Sequence, residues 1–241
     1  MSDLPTRRDE AWRYSDLEAV AGVWPVATLT HVVAPGETLV LPILIDGDAD
    51  SVGIEDHVIE VGAGARVEAK MAVTGGRLGR VSIAARLGEG AHLSLAGVIV
   101  GGGSETHEIV TTVTHAEPGA TSEQTVRIIL GGQATGSYLG KVAVARGAQG
   151  TDAVQSAKAM LLHRTATANL KPELEIYADD VKCAHGATVG ELDAQALFYL
   201  ASRGIAPAEA KTLLLRAFVG GLFEEDSPFA AAIDRALERI L

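Results

Sequence analysis

A chain of 241 residues that is 47% hydrophobic but only 4% aromatic can bury a sizeable core, yet it is poor in the rings that often line ligand pockets. Its formal net charge of −11 disfavours a nucleic-acid interface, which requires clustered Lys and Arg. No apolar run approaches the ~20 residues of a membrane span. The single cysteine excludes an internal disulfide framework. Because the charged N-terminus also lacks a hydrophobic signal core, we expect a cytoplasmic protein that binds neither nucleic acid nor membrane.

Three zones of composition follow one another along the chain. Residues 1–24 are charged and helix-compatible, and we predict an N-terminal helical arm there that carries Trp12 and Tyr14. Residues 25–190 hold most of the glycines and consist of short alternating segments bounded by Gly, Pro or Asp, the pattern of strands joined by turns. Residues 191–241 change to a helical period, which predicts a C-terminal helical subdomain.

The middle zone repeats at a nearly constant interval. A turn signature centred on glycine recurs at Gly36, Gly64, Gly90, Gly119 and Gly147, so that successive intervals are 28, 26, 29 and 28 residues. A fixed period of this length is typical of a solenoid, and at ~3.3 Å per residue each unit accommodates two or three short strands. The predicted fold class is therefore mainly β, a β-helix whose handedness the spacing leaves open. An ordinary β-sandwich is the alternative.

Three helices are predicted in the last zone. Asp193 caps the first, Pro207 lies in the first turn of the second, and Ser227 precedes a proline that starts the third. In the second helix the apolar residues at i, i+3, i+4 spacing are Ala210, Leu213, Leu214, Ala217 and Phe218. Such a stripe usually packs on the protein's own core, and a surface for a partner is the alternative.

Motifs of common enzymes do not occur in the sequence. There is no P-loop, no GxSxG elbow, no HExxH and no CxxC pair. His31, His57, His92 and His163 stand alone in the sequence, and we interpret each as a solvated or hydrogen-bonded side chain. We therefore expect a protein without catalytic activity of its own.

Cys183 and His185 form the one promising pair of metal-binding residue types. Residues i and i+2 of a strand point to the same face with Cα atoms ~6.6 Å apart, so a thiolate and an imidazole can meet on one metal ion. His185 can also lower the pKa of the Cys183 thiol. Because iron–sulfur centres usually take four ligands, two residues supply only part of a site. A small buried cysteine is the alternative, and the direction in which this strand face points stays open.

Residues 172–206 closely resemble the C-terminal signature of the SufB/SufD family of iron–sulfur cluster assembly proteins. The resemblance is closest to the SufD type in the run ADDVKCAHGATVG, from Ala178 to Gly190. Stretches within residues 138–155 are similar to the preceding family block. The N-terminal residues that resemble the family's opening element are Arg8, Glu10, Trp12, Tyr14 and Leu17.

This resemblance implies a right-handed parallel β-helix flanked by helical regions, with a shorter helical segment before the β-helix than is usual in the family. It also implies a scaffold that pairs with a SufB-like chain, docks a SufC-type ABC ATPase and helps to assemble nascent iron–sulfur clusters. His185 falls on the histidine that SufD-type members contribute at the SufB interface, and Cys183 falls on the neighbouring family cysteine. The cluster is then transient and shared with the partner chain, and we expect none in the isolated chain.

In the family the ATPase docks on the C-terminal helical region, which implies candidate contact residues here. Leu213 and Leu214 provide the apolar part of this surface, and Arg203, Lys211 and Arg216 provide a polar rim. When the chain is alone, we expect a homodimer that pairs through strand edges near residues 136–190, because unpaired edges tend to pair with another chain.

Two other functional classes stay open. A purely structural homo-oligomer without cluster chemistry would use its helices only for assembly. A carbohydrate-active β-helix enzyme would need paired carboxylates, but Asp179 and Asp180 are adjacent and so face opposite sides of a strand. The aromatic residues on which sugars stack are also scarce, which makes this the weaker alternative.

Overall fold

The computed structural model describes residues 3–241, and these form twelve strands, four α-helices and one short 3-10 helix. The helical elements are the 3-10 helix (Glu10–Trp12), α1 (Leu17–Ala21), α2 (Ala194–Ser202), α3 (Pro207–Val219) and α4 (Pro228–Ile240). The strands are β1 (Thr28–Val33), β2 (Thr38–Ile45), β3 (Val52–Val61), β4 (Arg66–Val73), β5 (Leu78–Leu87), β6 (His92–Gly101), β7 (Thr106–His115), β8 (Thr121–Leu130), β9 (Thr135–Val144), β10 (Thr151–Leu161), β11 (Thr167–Ile176) and β12 (Val181–Gly190). Across residues 3–241, no helix is long and apolar enough to span a membrane.

The strands pair in parallel in two six-stranded sheets. The odd sheet has the order β1-β3-β5-β7-β9-β11, and the even sheet has the order β12-β10-β8-β6-β4-β2. Consecutive strands therefore lie in opposite sheets, and each odd strand with the even strand after it forms one coil of a six-coil β-helix. The mainly β solenoid predicted from the glycine spacing is confirmed, and the β-sandwich alternative is wrong.

One face of every strand fills the lumen between the two sheets. In β4, Val67, Ala69, Met71 and Val73 are buried while Glu68 is exposed, which is the period of two expected for a strand. Each fully buried aliphatic side chain contributes about 1.5–3 kcal/mol to folding. Small and branched residues fill most of this lumen, and this explains why the sequence contains few rings.

Glycines in the left-handed conformation stack at one corner of the solenoid. The amide N–H of each donates to a carbonyl oxygen one coil further on, at 2.7–2.9 Å. The glycines in this ladder are Gly36, Gly64, Gly90, Gly119 and Gly150, with φ between 61° and 75°. The turn predicted around Gly147 lies at the fifth corner, but the left-handed glycine of the ladder there is Gly150. The corner between β9 and β10, residues 145–150, is longer than the corners at 62–65 and 88–91, so the left-handed residue lies three positions later.

The N-terminal arm packs on the outer face of the odd sheet, where it covers a buried ion pair between two strands of that sheet. Arg80 of β5 donates to a carboxylate oxygen of Glu108 of β7 at 2.7 Å, and the two side chains are 1% and 0% exposed. The hydroxyl of Ser15 also donates to the Glu108 carboxylate, and the Trp12 ring stacks over the Arg80 guanidinium at 3.8 Å. The arm therefore supplies both the polar partner and the cover that this buried charge pair requires.

The C-terminal helices cover the outer face of the even sheet, and α4 packs against β4 and β6. Asp193 and Ser227 cap α2 and α4, and Pro207 opens α3, as predicted. The apolar stripe predicted for α3 is wrong for most of its members, because the buried residues are Ala210, Leu215 and Val219. Apolar residues from 213 to 219 surround this helix almost completely, so their spacing alone allows more than one buried face.

We predict that the two glycines at the β9–β10 corner respond differently to substitution. Gly150→Ala should lower the free energy of unfolding by about 1–2 kcal/mol, because φ is 72° at this position. Gly147→Ala is the matched control and should change stability by less than about 0.5 kcal/mol, since no atom lies within 4 Å of an added Cβ. Urea denaturation monitored by circular dichroism measures both, and equal effects would contradict the glycine ladder.

Candidate functional site

Cys183 and His185 lie on β12, the last strand of the even sheet. This strand pairs with β10 along one side and is the edge of its sheet. In the register of that pair, Cys183 is beside Ala153 and His185 is beside Gln155. The sequence places the candidate residues two apart, and the structure adds that they belong to the coil that ends the solenoid.

The pair faces the lumen at the open end of this last coil. Cys183 packs against a cluster that includes Val144, Ala153 and Ala178, which fixes the odd positions of β12 as inward-facing. His185 shares this face by strand alternation. Because no further coil covers β12 within residues 3–241, Cys183 is only half-buried and His185 is exposed. The question that the sequence left open is thus answered in favour of an inward face that is accessible from the end.

The environment of Cys183 favours the neutral thiol. Partial burial raises the pKa of this thiol, the nearby Asp152 carboxylate raises it further, and a hydrogen bond from the Ala153 backbone acts in the opposite direction. The expectation that His185 lowers the pKa of Cys183 is therefore wrong for the chain alone. Since the thiolate is the form that binds metal or attacks, Cys183 is held in its less reactive form.

The remaining histidines show that sequence separation is a poor guide in this fold. His31 and His57 are hydrogen-bonded side chains, as predicted, although they are 26 residues apart: the Nε2 of His31 lies 3.1 Å from the Nδ1 of His57, whose own Nε2 lies 3.1 Å from Glu55. Within residues 3–241 no group of three or more His, Cys, Asp or Glu side chains is arranged to hold a metal ion.

A line of polar residues leads from β12 into the lumen, and sequence reasoning missed it. Gln155 is beside His185 on β10, and Gln124 is beside Gln155 on β8; both glutamines are 1% exposed. Tyr138 and Thr111 lie across the lumen and hydrogen-bond to Gln124 at 3.2 and 2.6 Å. Burial raises the pKa of Tyr138 to about 12, so its hydroxyl stays protonated as a donor.

Residues 25–218, which include the whole β-helix and most of α3, match the family profile described as the SufBD core domain of the SUF system for iron–sulfur cluster assembly. The chain belongs to the SufBD family. The resemblance inferred from the residues around Cys183 is confirmed by this match over most of the sequence.

Individual relatives agree with the family profile. The chain is similar to a SufBD family protein of Synechocystis (39% identity over 51% of the chain) and to SufD of Escherichia coli (37% over 50%). It is also similar to the chloroplastic protein ABCI7 of Arabidopsis thaliana (35% over 63%). The matched segments cover only 26%, 29% and 32% of these relatives, respectively.

The candidate docking residues of this SufBD chain lie on α2 and α3. Leu213 is 43% exposed, Leu214 is half-buried, and Lys211 is exposed. The Arg203 guanidinium lies 5.2 Å from the centre of the Tyr199 ring, and Arg216 donates to Asp234 at 2.8 Å. Sequence reasoning did not single out the two most exposed rings of this surface, Phe198 (76%) and Tyr199 (57%). None of the α2 residues is buried.

We predict that Asp152 slows alkylation of Cys183. Asp152→Asn removes a charge that raises the pKa of the thiol, so the thiolate fraction at about pH 8 should increase and iodoacetamide should react faster. Asp179→Asn is the control, because Asp179 is also an exposed carboxylate near the start of β12 but does not contribute to this shift. Equal rates in the wild type and both variants would show that burial alone holds the thiol protonated.

Proposed function

We propose that the chain is the SufD-like subunit of a SufBD scaffold that pairs with a SufB-like chain and contributes His185 to a nascent iron–sulfur cluster. One observation carries this proposal: His185 and Cys183 lie on the open inward face of an edge strand, where a second chain can complete both the sheet and the ligand set. The chain alone provides two candidate ligands there, and a cluster takes about four.

The strand edges of the sixth coil support pairing with another chain. β11 and β12 are the terminal strands of the two sheets at the same end of the solenoid, and each leaves one side of its backbone unpaired within the described residues. Apolar side chains nearby are exposed, among them Tyr177 (64%) and Val189 (52%). Unpaired edges of this kind readily accept another strand, so a partner sheet that continues the solenoid would cover them.

Within this scaffold His185 and Cys183 have different roles. An imidazole can ligate iron in its neutral form and needs no thiolate. The raised pKa of Cys183 makes it the weaker ligand until a partner or bound iron stabilises its thiolate. His185 is therefore the primary contributed ligand, and Cys183 is a secondary or sulfur-relaying group for the cluster that is assembled as cargo.

The α2–α3 surface is the part of the chain that we assign to a SufC-type ABC ATPase. α2 contacts α3 and carries Phe198 and Tyr199 on its exposed side, while Leu213 of α3 extends the apolar area. Arg203 and Lys211 provide charged groups at its margin. Aromatic anchors with a polar rim are typical of protein interfaces. In this proposal ATP turnover belongs to the docked partner, and the chain acts as a scaffold without catalysis of its own.

We predict that His185→Ala lowers the iron and sulfide content of the reconstituted complex by at least ~10-fold, because a ligand is lost. Cys183→Ser should have a smaller effect. His163→Ala is the control, since His163 is also exposed but lies at the corner before β11. Anaerobic reconstitution with the SufB-like and SufC-type partners, followed by iron and sulfide analysis, measures this. A His185→Ala protein with a lower melting temperature but normal cluster yield would assign His185 to structure.

We predict that Phe198→Asp and Leu213→Asp abolish ATPase binding while the β-sheet circular dichroism remains unchanged, because both side chains are exposed. Val32→Asp is the matched control: it places the same charge at an exposed apolar position (77%) of β1, at the other end of the solenoid, and should leave ATPase binding intact. Pull-down with the purified ATPase measures the effect. Loss of the β-sheet signal in Leu213→Asp would identify Leu213 as a core residue.

We predict a homodimer when the chain is purified alone, paired through the sixth coil. Val189→Asp should convert it to a monomer, because a charge at the covered edge would be desolvated without a partner. Multi-angle light scattering over a range of concentrations measures the mass. A wild-type monomer at the highest concentration, or a dimer that Val189→Asp leaves unchanged, would place the interface elsewhere.

A further inference from the structure

We propose that Gln155 is a positioning residue for His185: its side-chain oxygen accepts a hydrogen bond from one imidazole N–H and so presents the other ring nitrogen to the cluster. This inference rests on the proposed role of His185 as a contributed ligand. Such a hydrogen bond would orient the exposed imidazole on its edge strand before a partner chain or iron binds.

The register of the even sheet places the two side chains side by side. Gln155 and His185 are Cα partners on adjacent parallel strands, which lie about 4.8 Å apart, and both occupy inward-facing positions. The residues at the same level in successive coils are Leu41, Ala69, Leu95, Gln124, Gln155 and His185. This column is apolar in the first three coils and polar in the last three, where it approaches the candidate site.

The hydrogen bonds in the lumen determine which end of the Gln155 amide is available. Thr111 and Tyr138 each donate a hydroxyl hydrogen to Oε1 of Gln124, at 2.6 and 3.2 Å. The single hydroxyl hydrogen of Tyr138 is thereby used, so its oxygen accepts from Nε2 of Gln155 at 3.4 Å. The amide nitrogen of Gln155 is directed to Tyr138, and its oxygen is left for another donor.

That oxygen is buried and has no hydrogen-bond partner in the part of the chain that the structure describes. Oε1 of Gln155 and Nε2 of Gln124 both lack hydrogen-bond partners among residues 3–241. An amide oxygen has two lone pairs, so it can accept from Gln124 on one side and from His185 on the other. Buried acceptors of this kind are nearly always satisfied in native proteins, and the imidazole of His185 is the side chain beside it on the open side.

A hydrogen bond to Gln155 would select one neutral tautomer of His185. The nitrogen that donates to the amide oxygen carries the hydrogen, and the other nitrogen keeps the lone pair that binds a metal. Metal-ligating histidines usually donate their second ring N–H to such an acceptor, which fixes the ring orientation. Gln155 supplies this acceptor from a rigid interior strand, while Tyr138 prevents the amide from rotating.

The chain contains a matched control for this proposal. Thr111 is also buried in the lumen and donates to Gln124. Gln155→Met and Thr111→Val both replace a buried polar side chain with an apolar one of similar size, and Thr111→Val leaves the hydroxyl hydrogen of Tyr138 on Gln124. Any general effect on lumen packing should therefore appear in both variants, whereas an effect on the orientation of His185 should appear only in Gln155→Met.

The test is the tautomer ratio of His185 in the full-length protein, measured by long-range ¹H–¹⁵N NMR at about pH 8.5, where an imidazole is neutral. His185→Ala assigns the signals. We expect one dominant tautomer in the wild type and in Thr111→Val, and a change in the ratio of about fivefold in Gln155→Met, as for the loss of a typical hydrogen bond. The same ratio in all three proteins, or equal changes in both variants, would overturn the proposal.

A second variant keeps the test decisive if Gln155→Met does not fold. Tyr138→Phe removes the hydroxyl that holds the Gln155 amide, and the tautomer preference of His185 should weaken in the same direction; an unchanged ratio counts against the proposal. Cluster yield separates the two levels of inference. A tautomer change in Gln155→Met together with a normal cluster yield in His185→Ala would retain Gln155 as the positioning residue and reject His185 as a cluster ligand. A loss of cluster in His185→Ala with no tautomer change in Gln155→Met would do the reverse.

Discussion

The parallel register between successive coils is the constraint on which the rest of the structure depends. Every strand bonds to strands about 30 residues away, and each inward side chain lies directly beside its counterparts in the neighbouring coils. The residues at one level of successive coils therefore form a column in which neighbouring side chains contact one another. Columns of aliphatic residues build the lumen, a column of left-handed glycines builds one corner, and a column that becomes polar reaches the surface at His185.

This constraint explains which parts of the fold could be predicted from the sequence. The turn glycines recur every 26 to 29 residues up to Gly147, and this spacing is visible without any structure. The left-handed glycines depart from it at the last corner, because the longer turn before β10 places the left-handed position at Gly150 and not at Gly147. The sequence spacing gave no information about which face of α3 is buried, because near-continuous apolar residues allow several faces. Leu215 and Val219 are buried because they pack on Val98 and Ile129 of the even sheet.

The candidate site was predictable only in part for the same reason. Cys183 and His185 are close in sequence, so their shared strand face follows from alternation alone. Gln155 and Tyr138 are 30 and 47 positions before His185, and only the coil register brings one beside it and the other across the lumen. The raised pKa of Cys183 also depends on Asp152 of the neighbouring strand, and no pattern within residues 178–190 contains that information.

The buried Arg80–Glu108 pair constrains the order in which parts of the protein fold. It ties the N-terminal arm to the third and fourth coils, and the contact between Glu10 and Lys171 extends the arm to the sixth. The carboxylate that contacts both Ser15 and Arg80 belongs to β7, so the polar contacts of the arm can be completed only after residue 108 has been synthesised. The apolar part of its site, which includes Val52, Ile54 and Leu78, is available earlier. Apolar docking of the arm can therefore precede the closure of its buried polar contacts.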